Sequence, residues 1–193
     1  MNVINIALQH VVSELNTYFG LRTGAAADSN VVAASLFDVD GNVNSAAQNK
    51  VVMSMVNLEQ DAVYKPLESF RTLPDGSSER LKPEININLY ILFIANLSSY
   101  FEAMKSLTNV ISFFQLNPYF DYKSISGLEN IRGRLSFELF SMTFEQQNNL
   151  WGVLGAKYMP SVVYKVGMLE VRDDQVEGIA PPVKEIHIEG EGV

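Results

Sequence analysis

The sequence predicts an α+β protein, a single domain in which a mixed or antiparallel sheet packs against about three helices. Three segments have apolar residues at the three- and four-residue spacing of an amphipathic helix, and five have the alternation or β-branched content of strands. The predicted order along the chain is α-β-β-β-α-β-α-β. Because hairpins alternate irregularly with helices in this order, it favours α+β over a doubly wound parallel sheet.

The N-terminal half of the chain begins with a helix and continues with two strands. Apolar residues at positions 4–19 form one helical stripe, and Gly20 is the predicted end of this helix. Val31–Phe37 is a short apolar and β-branched run that leads into an Asp-Gly turn at 38–42. Lys50–Leu58 alternates over its full length, which predicts a second strand.

The C-terminal half alternates strands with helices. Ile85–Phe93 begins half-polar and ends in a continuous apolar run, which predicts a strand whose end is buried on both faces. Ser99-x-x-Glu102 has the form of a capping box, so a helix is predicted from there to Asn117-Pro118. The remaining elements are a strand, a capped helix and a final strand, at Leu135–Phe140, Thr143–Gly155 and Ser161–Val171.

Composition excludes several classes of function. The 193 residues include 14 basic and 22 acidic side chains, and a net charge of -8 makes nucleic acid an unfavourable partner. The absence of cysteine removes disulfides, thiolate metal sites and cysteine nucleophiles. Leu89–Leu97, the longest apolar run, falls short of the roughly 18 residues that a membrane helix needs, and residues 2–19 lack the form of a secretory signal. We therefore expect a cytoplasmic protein that binds neither nucleic acid nor membrane.

No catalytic site, metal site or cofactor is predicted. His10 and His187 have no neighbours that suggest a triad or a metal, and no nucleotide-binding or hydrolase motif occurs. Asp38–Asn42 has the alternating oxygens of a calcium loop, but its glycine is fourth instead of sixth, and Asn49 stands where the twelfth-position Glu belongs. We interpret this segment as a hairpin turn and expect no enzyme activity.

Two segments have no place in the predicted core. Residues 64–84 contain three prolines around an Asp-Gly-Ser-Ser tip, which predicts a long loop. Residues 170–193 contain seven acidic and two basic side chains, a net -5 of the chain's -8, and yet 183–189 alternates like a short edge strand. We therefore divide the chain into a domain of residues 1–171 and an acidic C-terminal tail of residues 172–193.

Four stretches of the sequence resemble a known family of structural proteins. They are ALQHVVSELNTY at 7–18, NKVVMSMVNLEQD at 49–61, NINLYILFIANLSSYFEAMKSLTNVISFFQLNP at 86–118 and TFEQQNNLWGVLGAKYMPSVVYKVGML at 143–169. Together they are similar to the N-terminal domain of the cap, or tube-terminator, proteins of extracellular contractile injection systems. These are the phage-tail-like particles typified by the Photorhabdus virulence cassettes and the antifeeding prophage. The block at 148–165 is the most specific part.

The resemblance implies a phage tail-terminator-like fold and a homohexameric ring that closes the distal end of an inner tube and its sheath. It implies assembly in the cytoplasm followed by a place in a released particle, with tube and sheath proteins as partners and no catalytic residues or cofactor. Two alternatives stay open: a baseplate or adaptor ring of the same particle, and a small-molecule-binding α+β domain. The expected partner-binding residues lie in the loop and the tail: Tyr64, Lys65, Arg71, Asp75 and Arg80, with Val183, Ile186 and Ile188.

Overall fold

The computed structural model describes the main chain at 3–24, 30–38, 40–61, 69–72, 78–81, 85–131, 133–171 and 176–180. The chain divides into two compact units, one formed by Met1–Gln60 with Ile87–Leu169 and the other by Asp61–Asn86 with Glu170–Val193. The helices within the described ranges are α1 (Val3–Thr23), α2 (Tyr100–Leu116) and α3 (Phe144–Leu154). The strands within them are β1 (Val31–Ala33), β2 (Lys50–Gln60), β3 (Ser69–Thr72), β4 (Ser78–Leu81), β5 (Ile85–Asn96), β6 (Tyr119–Asp121), β7 (Arg134–Phe140), β8 (Ser161–Val171) and β9 (Val176–Ala180).

The larger unit is built around a mixed six-stranded sheet in the order β1-β2-β5-β8-β7-β6. β1 pairs with β2 in parallel, whereas the β2–β5, β6–β7 and β7–β8 pairs are antiparallel. The long β2–β5 ladder shifts its register between Met55 and Asn57, which marks a β-bulge. Three helices and a mixed sheet confirm the predicted α+β class.

Both faces of this sheet are covered by helices. One face packs against α1 and α2, where Leu15, Val110 and Phe113 meet strand residues such as Phe93. The other face packs against α3, whose Trp151 joins a second apolar cluster. Consecutive residues at the centre of the sheet are therefore buried on alternating sides: Val51, Val52 and Met53 in β2, and Ile91, Leu92, Phe93 and Ile94 in β5. The predicted double burial of the end of the β5 strand is confirmed.

The helix caps agree with the sequence at three ends and differ at one. Thr143 and Gln146 form a complete capping box at the start of α3, and Gly155 ends that helix in the left-handed region at φ 63°. The Ser99 side chain accepts a hydrogen bond from the Glu102 amide at the start of α2. The predicted end of α1 at Gly20 is wrong, because the helix continues to Thr23.

The α1 helix ends at the next glycine along the chain. Gly24 has φ 69° and its amide donates to the Gly20 carbonyl, so Gly24 is the residue that takes the left-handed conformation. A glycine inside a helix is tolerated at a modest cost when packing holds the flanking turns. Phe19 is buried in the core on one side of Gly20, which supplies that packing.

The first strand is shorter than predicted. β1 covers only three residues, and the rest of the predicted run bends away until Phe37 forms an isolated bridge with Val43. Between them the Asp38 amide donates to the Asn42 carbonyl, and Gly41 has φ 78°. The Asp-Gly turn is thus present at its predicted place, closed by a bridge instead of a continuous ladder.

The smaller unit contains a three-stranded antiparallel sheet in the order β3-β4-β9. The interpretation of 64–84 as a loop is therefore wrong at 69–72 and 78–81, where Ser69 pairs with Leu81 and Thr72 with Ser78. Strands of four residues are too short to show a clear period, and their third strand, β9, comes about a hundred residues later in the sequence. β9 itself lies within the predicted tail, and residues 181–193 lie outside the described residues.

Candidate assembly surfaces

Helix α3 has an apolar face that points to solvent. Phe144 is 92% exposed and Tyr158, just beyond the helix, is 61% exposed. A groove of about 410 Å³ runs along this face and is called the α3 groove below. Its lining residues are Phe144, Gln147, Asn148, Trp151, Gly152, Ala156 and Tyr158.

The local sequence explains why α3 presents this groove. Leu150, Trp151 and Leu154 lie on the side of the helix that packs on the sheet. Phe144, Asn148 and Gly152 follow each other at four-residue spacing beside that side, and all three are exposed. Phe144 is the first residue after the Thr143 cap, so no preceding helical turn covers its side chain. The helix is also poor in charge, with Glu145 as its single ionisable side chain.

Gly152 forms an open floor in the groove. A Cβ added at this glycine would meet no atom within 4 Å, so nothing inside the subunit requires a glycine there. Glycine in a helix is less stable than alanine by about 0.8–1 kcal/mol in an interior position. The wall beside it is aromatic, since the rings of Trp151 and Tyr158 lie 5.7 Å apart between centroids.

A second apolar surface lies at the start of α2. Tyr100 and Phe101 are 67% and 84% exposed, and their rings lie 6.5 Å apart in an edge-to-face arrangement. We call this pair the aromatic knob. Glu102, the next residue along the helix, is paired with Lys105, whose ammonium lies 3.7 Å from its carboxylate. The buried face of α2 begins at Ala103, so Tyr100 and Phe101 lie outside it.

The outer edge of β2 is a third accessible surface. β1 pairs with β2 only as far as Met53, and no described residue pairs with that edge from Ser54 onward. A cavity of about 260 Å³ opens beside it, between α1 and the segment that follows β1, and Met55 is half-exposed there. The bulge after Met55 interrupts the regular edge, which is a common protection against unwanted strand pairing.

A polar cluster crosses the sheet on its α3-facing side. The Tyr90 hydroxyl donates to Glu59 Oε1 at 2.7 Å, and Lys165 Nζ lies 3.9 Å from the same oxygen. The hydrogen bond to Glu59 raises the pKa of Tyr90 to about 12, and burial and the nearby carboxylates of Glu59 and Glu138 add to the effect. A tyrosine that stays protonated in this way is a poor nucleophile or base, so the cluster is suited to holding strands together.

The described residues contain neither a metal-ligand cluster nor a membrane-spanning helix. Within them, no three His, Cys, Asp or Glu side chains lie close enough together to hold a metal ion. In the same part of the chain, no helix has the length and apolar character needed to cross a bilayer. The surfaces with a distinct chemical character in the described ranges are thus the apolar and strand-edge surfaces above.

Comparison with known proteins identifies the family. The profile of the Pvc16 N-terminal domain matches residues 7–185. The chain belongs to the Pvc16 N-terminal domain family. The resemblance to cap proteins predicted from the sequence is therefore confirmed as a family relationship. No curated protein matches the chain.

Two solved structures are similar in fold to this Pvc16 N-terminal domain. One is the sheath/tube terminator of PVC, an extracellular contractile injection system, in its extended state, with a TM-score of 0.58, 17% identity and 93% of this chain covered. The other is the tube-terminating cap of the anti-feeding prophage, with a TM-score of 0.53, 16% identity and 82% of this chain covered. The match spans 63% of the first protein's length and 55% of the second's, and it confirms the predicted terminator-like fold.

The partner-binding residues predicted from the sequence stay predictions. Arg71 lies in β3 opposite Glu79, and Arg80 lies in β4 opposite Phe70 and Gly178, so the register does not pair the two arginines with each other. The other predicted residues lie outside the described residues: Tyr64, Lys65, Asp75, Val183, Ile186 and Ile188.

The exposed aromatic residues are the feature that sequence reasoning missed. Phe113, Phe114 and Trp151 lie in the core. Phe101 follows Tyr100, and Phe144 stands between Thr143 and Glu145; periodicity alone does not tell whether a helix turns either phenylalanine outward. A usable signal was the cap position, because both residues lie within two positions of an N-cap, at the edge of the helical stripe.

Proposed function

We propose that this chain forms the ring that closes the distal end of the inner tube and sheath in a contractile injection particle, as a homohexamer. The observation that supports this most strongly is the similarity of 93% of the chain to a sheath/tube terminator, in agreement with the family match over residues 7–185. Its partners would be further copies of itself and the terminal tube and sheath subunits, and its role would be structural instead of enzymatic.

The chemistry of the surface supports a structural role. The raised pKa of Tyr90 and its hydrogen bond to Glu59 favour strand cohesion over proton transfer. The described surface instead exposes large apolar side chains on α2 and α3, and contiguous exposed apolar patches mark interaction sites in soluble proteins.

Deletion and rescue in a particle-producing strain test the proposed function. Particles lacking the chain should have open or uncontrolled distal ends, and the wild-type chain supplied in trans should restore a uniform length. A gold-labelled tag on the chain should appear at the end opposite the baseplate. Label at the baseplate end would favour an adaptor ring, and normal closure without the chain would refute a capping role.

We further propose that the β3–β4 hairpin meets the tube or sheath. Arg71 and Arg80 supply positive charge on an acidic chain, and surface connections between strands commonly carry contacts. Replacing Arg71 and Arg80 by Glu should leave ring formation intact and weaken docking to particles in a salt-dependent way. Docking of unchanged affinity and salt dependence would contradict this proposal.

We also propose that residues 183–189 add as a strand to the sheet of a neighbouring subunit. Ile186 and Ile188 would lie on one face of such a strand and Val183 on the other, and an incompletely paired strand such as β2 is a template for such addition. Because β9 ends at Ala180, removing residues 181–193 leaves the β4–β9 ladder in place. The truncated chain should fold normally and dock more weakly; equal docking would exclude this role for the tail.

A further inference from the structure

The aromatic knob and the α3 groove lie on elements that cover opposite faces of the main sheet. α2 shares the apolar cluster of α1 on one face, and α3 covers the other face through Trp151. A two-fold symmetric contact brings one patch against its own copy, whereas a ring needs two different patches that meet head to tail. Two unlike apolar patches on opposite sides of one subunit have the arrangement that a head-to-tail contact requires.

We propose that the aromatic knob of one copy inserts into the α3 groove of the next copy, so that the occupant of the groove is a second copy of this chain. The contact rests on the ring formation proposed above and names the surface that would form it. Phe101 is the central residue of the knob, and Gly152 is the floor that receives it.

Charge favours a contact between copies at these two places. Each chain has a net charge of -8, so two copies repel each other wherever their acidic surfaces would meet. Both patches are nearly free of this charge: α3 has one ionisable residue, Glu145, and the Glu102 carboxylate beside the knob is paired with Lys105 at 3.7 Å. The fully buried centres of protein interfaces are likewise depleted of charged residues.

Shape and area also favour this pairing. The open space above Gly152 is bounded by aromatic walls at Phe144 and Tyr158, and an aromatic ring that enters there can make edge-to-face contacts with both. A buried aromatic side chain contributes about 150–250 Å². The exposed residues of the two patches therefore supply several hundred Å² together, enough for the apolar centre of a standard interface, which buries about 1,600 Å² in total.

Cross-linking between single-cysteine variants tests the contact directly, because the natural chain has no cysteine. Ser98→Cys places a thiol beside the knob and Asn148→Cys places one on the wall of the groove, and both positions are exposed. The two variants are assembled as a mixture and treated with a short bismaleimide. A covalent dimer in the mixture, with little in either variant alone, is the expected result.

Two substitutions at equally exposed residues provide a second measurement. Phe101→Ala should weaken assembly at least tenfold in mass photometry, whereas Leu21→Ala, which removes an apolar side chain of the same 84% exposure from α1, should change it less than threefold. Rings that form without the mixed cross-link, or that tolerate Phe101→Ala, would overturn the contact and leave the capping proposal standing. A wild-type chain that neither forms rings nor closes particles would overturn the capping proposal itself.

Discussion

Gly152→Ala separates the stability of the subunit from its ability to assemble. The glycine lies in the last turns of α3, has no positive φ, and offers a Cβ a space with no atom within 4 Å. Alanine restricts the unfolded chain more than glycine does and has a higher helix propensity. Because position 152 is close to the helix end, we expect the free energy of unfolding to rise by about 0.5–1 kcal/mol, somewhat less than for a position in the middle of a helix. For a chain of this size such a gain raises Tm by about 1–4 °C.

The same methyl group should weaken assembly. In the proposed contact the floor of the α3 groove receives the Phe101 ring of the next copy, so a methyl group on that floor fills space that the ring needs. Overfilling a packed contact costs about 1–3 kcal/mol, which corresponds to a rise of about 5- to 150-fold in the dissociation constant.

Thermal melts of the monomeric protein at low concentration and mass photometry across a dilution series measure the two effects on the same samples. Asn149→Ala is the matched control, since it raises helix propensity on α3 outside the groove and should stabilise the subunit without weakening the ring. A Gly152→Ala variant that is more stable and assembles normally would refute the reasoning about the groove, and one that is less stable would refute the reasoning about the helix.

Three further predictions concern the subunit itself. Asn16→Ala should lower the free energy of unfolding by about 2–4 kcal/mol in urea titrations. The buried Asn16 side-chain amide donates to the Val31 carbonyl at 2.9 Å, and its oxygen accepts from the Val31 backbone amide at 2.9 Å. A loss below about 1 kcal/mol would contradict this. Gly133→Ala should lower the free energy of unfolding by about 2 kcal/mol or more in the same assay, since φ at Gly133 is 138° and a Cβ would lie 2.9 Å from the buried Tyr122 ring. An unchanged urea midpoint would show that the Tyr122 ring moves freely. The pKa of Tyr90 is about 12 in the fold against 10 in the unfolded chain, so the protonated hydroxyl contributes its full share to folding stability below pH 10, and this share is lost as the pH rises towards 12. Tyr90→Phe should therefore make the free energy of unfolding decline less steeply between pH 10 and 12, and identical slopes would exclude this role.

The sequence determined the features that depend on local chemistry. The Thr143 capping box and the Gly155 stop are interactions among neighbours in the chain, and they appear where the residues predict them. The burial of β5 on both faces follows from its continuous apolar run, because such a run has no polar side to turn to water. The four stretches at 7–18, 49–61, 86–118 and 143–169 were sufficient, through their resemblance, to indicate the family that the profile match over residues 7–185 confirms.

Only the tertiary structure decided the features that depend on distant partners. β3 and β4 are too short to be stable or periodic alone, and they exist as strands together with β9, which follows them by about a hundred residues. α1 ends at Gly24 instead of Gly20 because the core holds Phe19 and the helix around it. Phe101 and Phe144 lie outward for the same kind of reason: apolar periodicity marks a stripe on a helix, but the neighbouring sheet decides which part of that stripe is covered and which part is left for a partner.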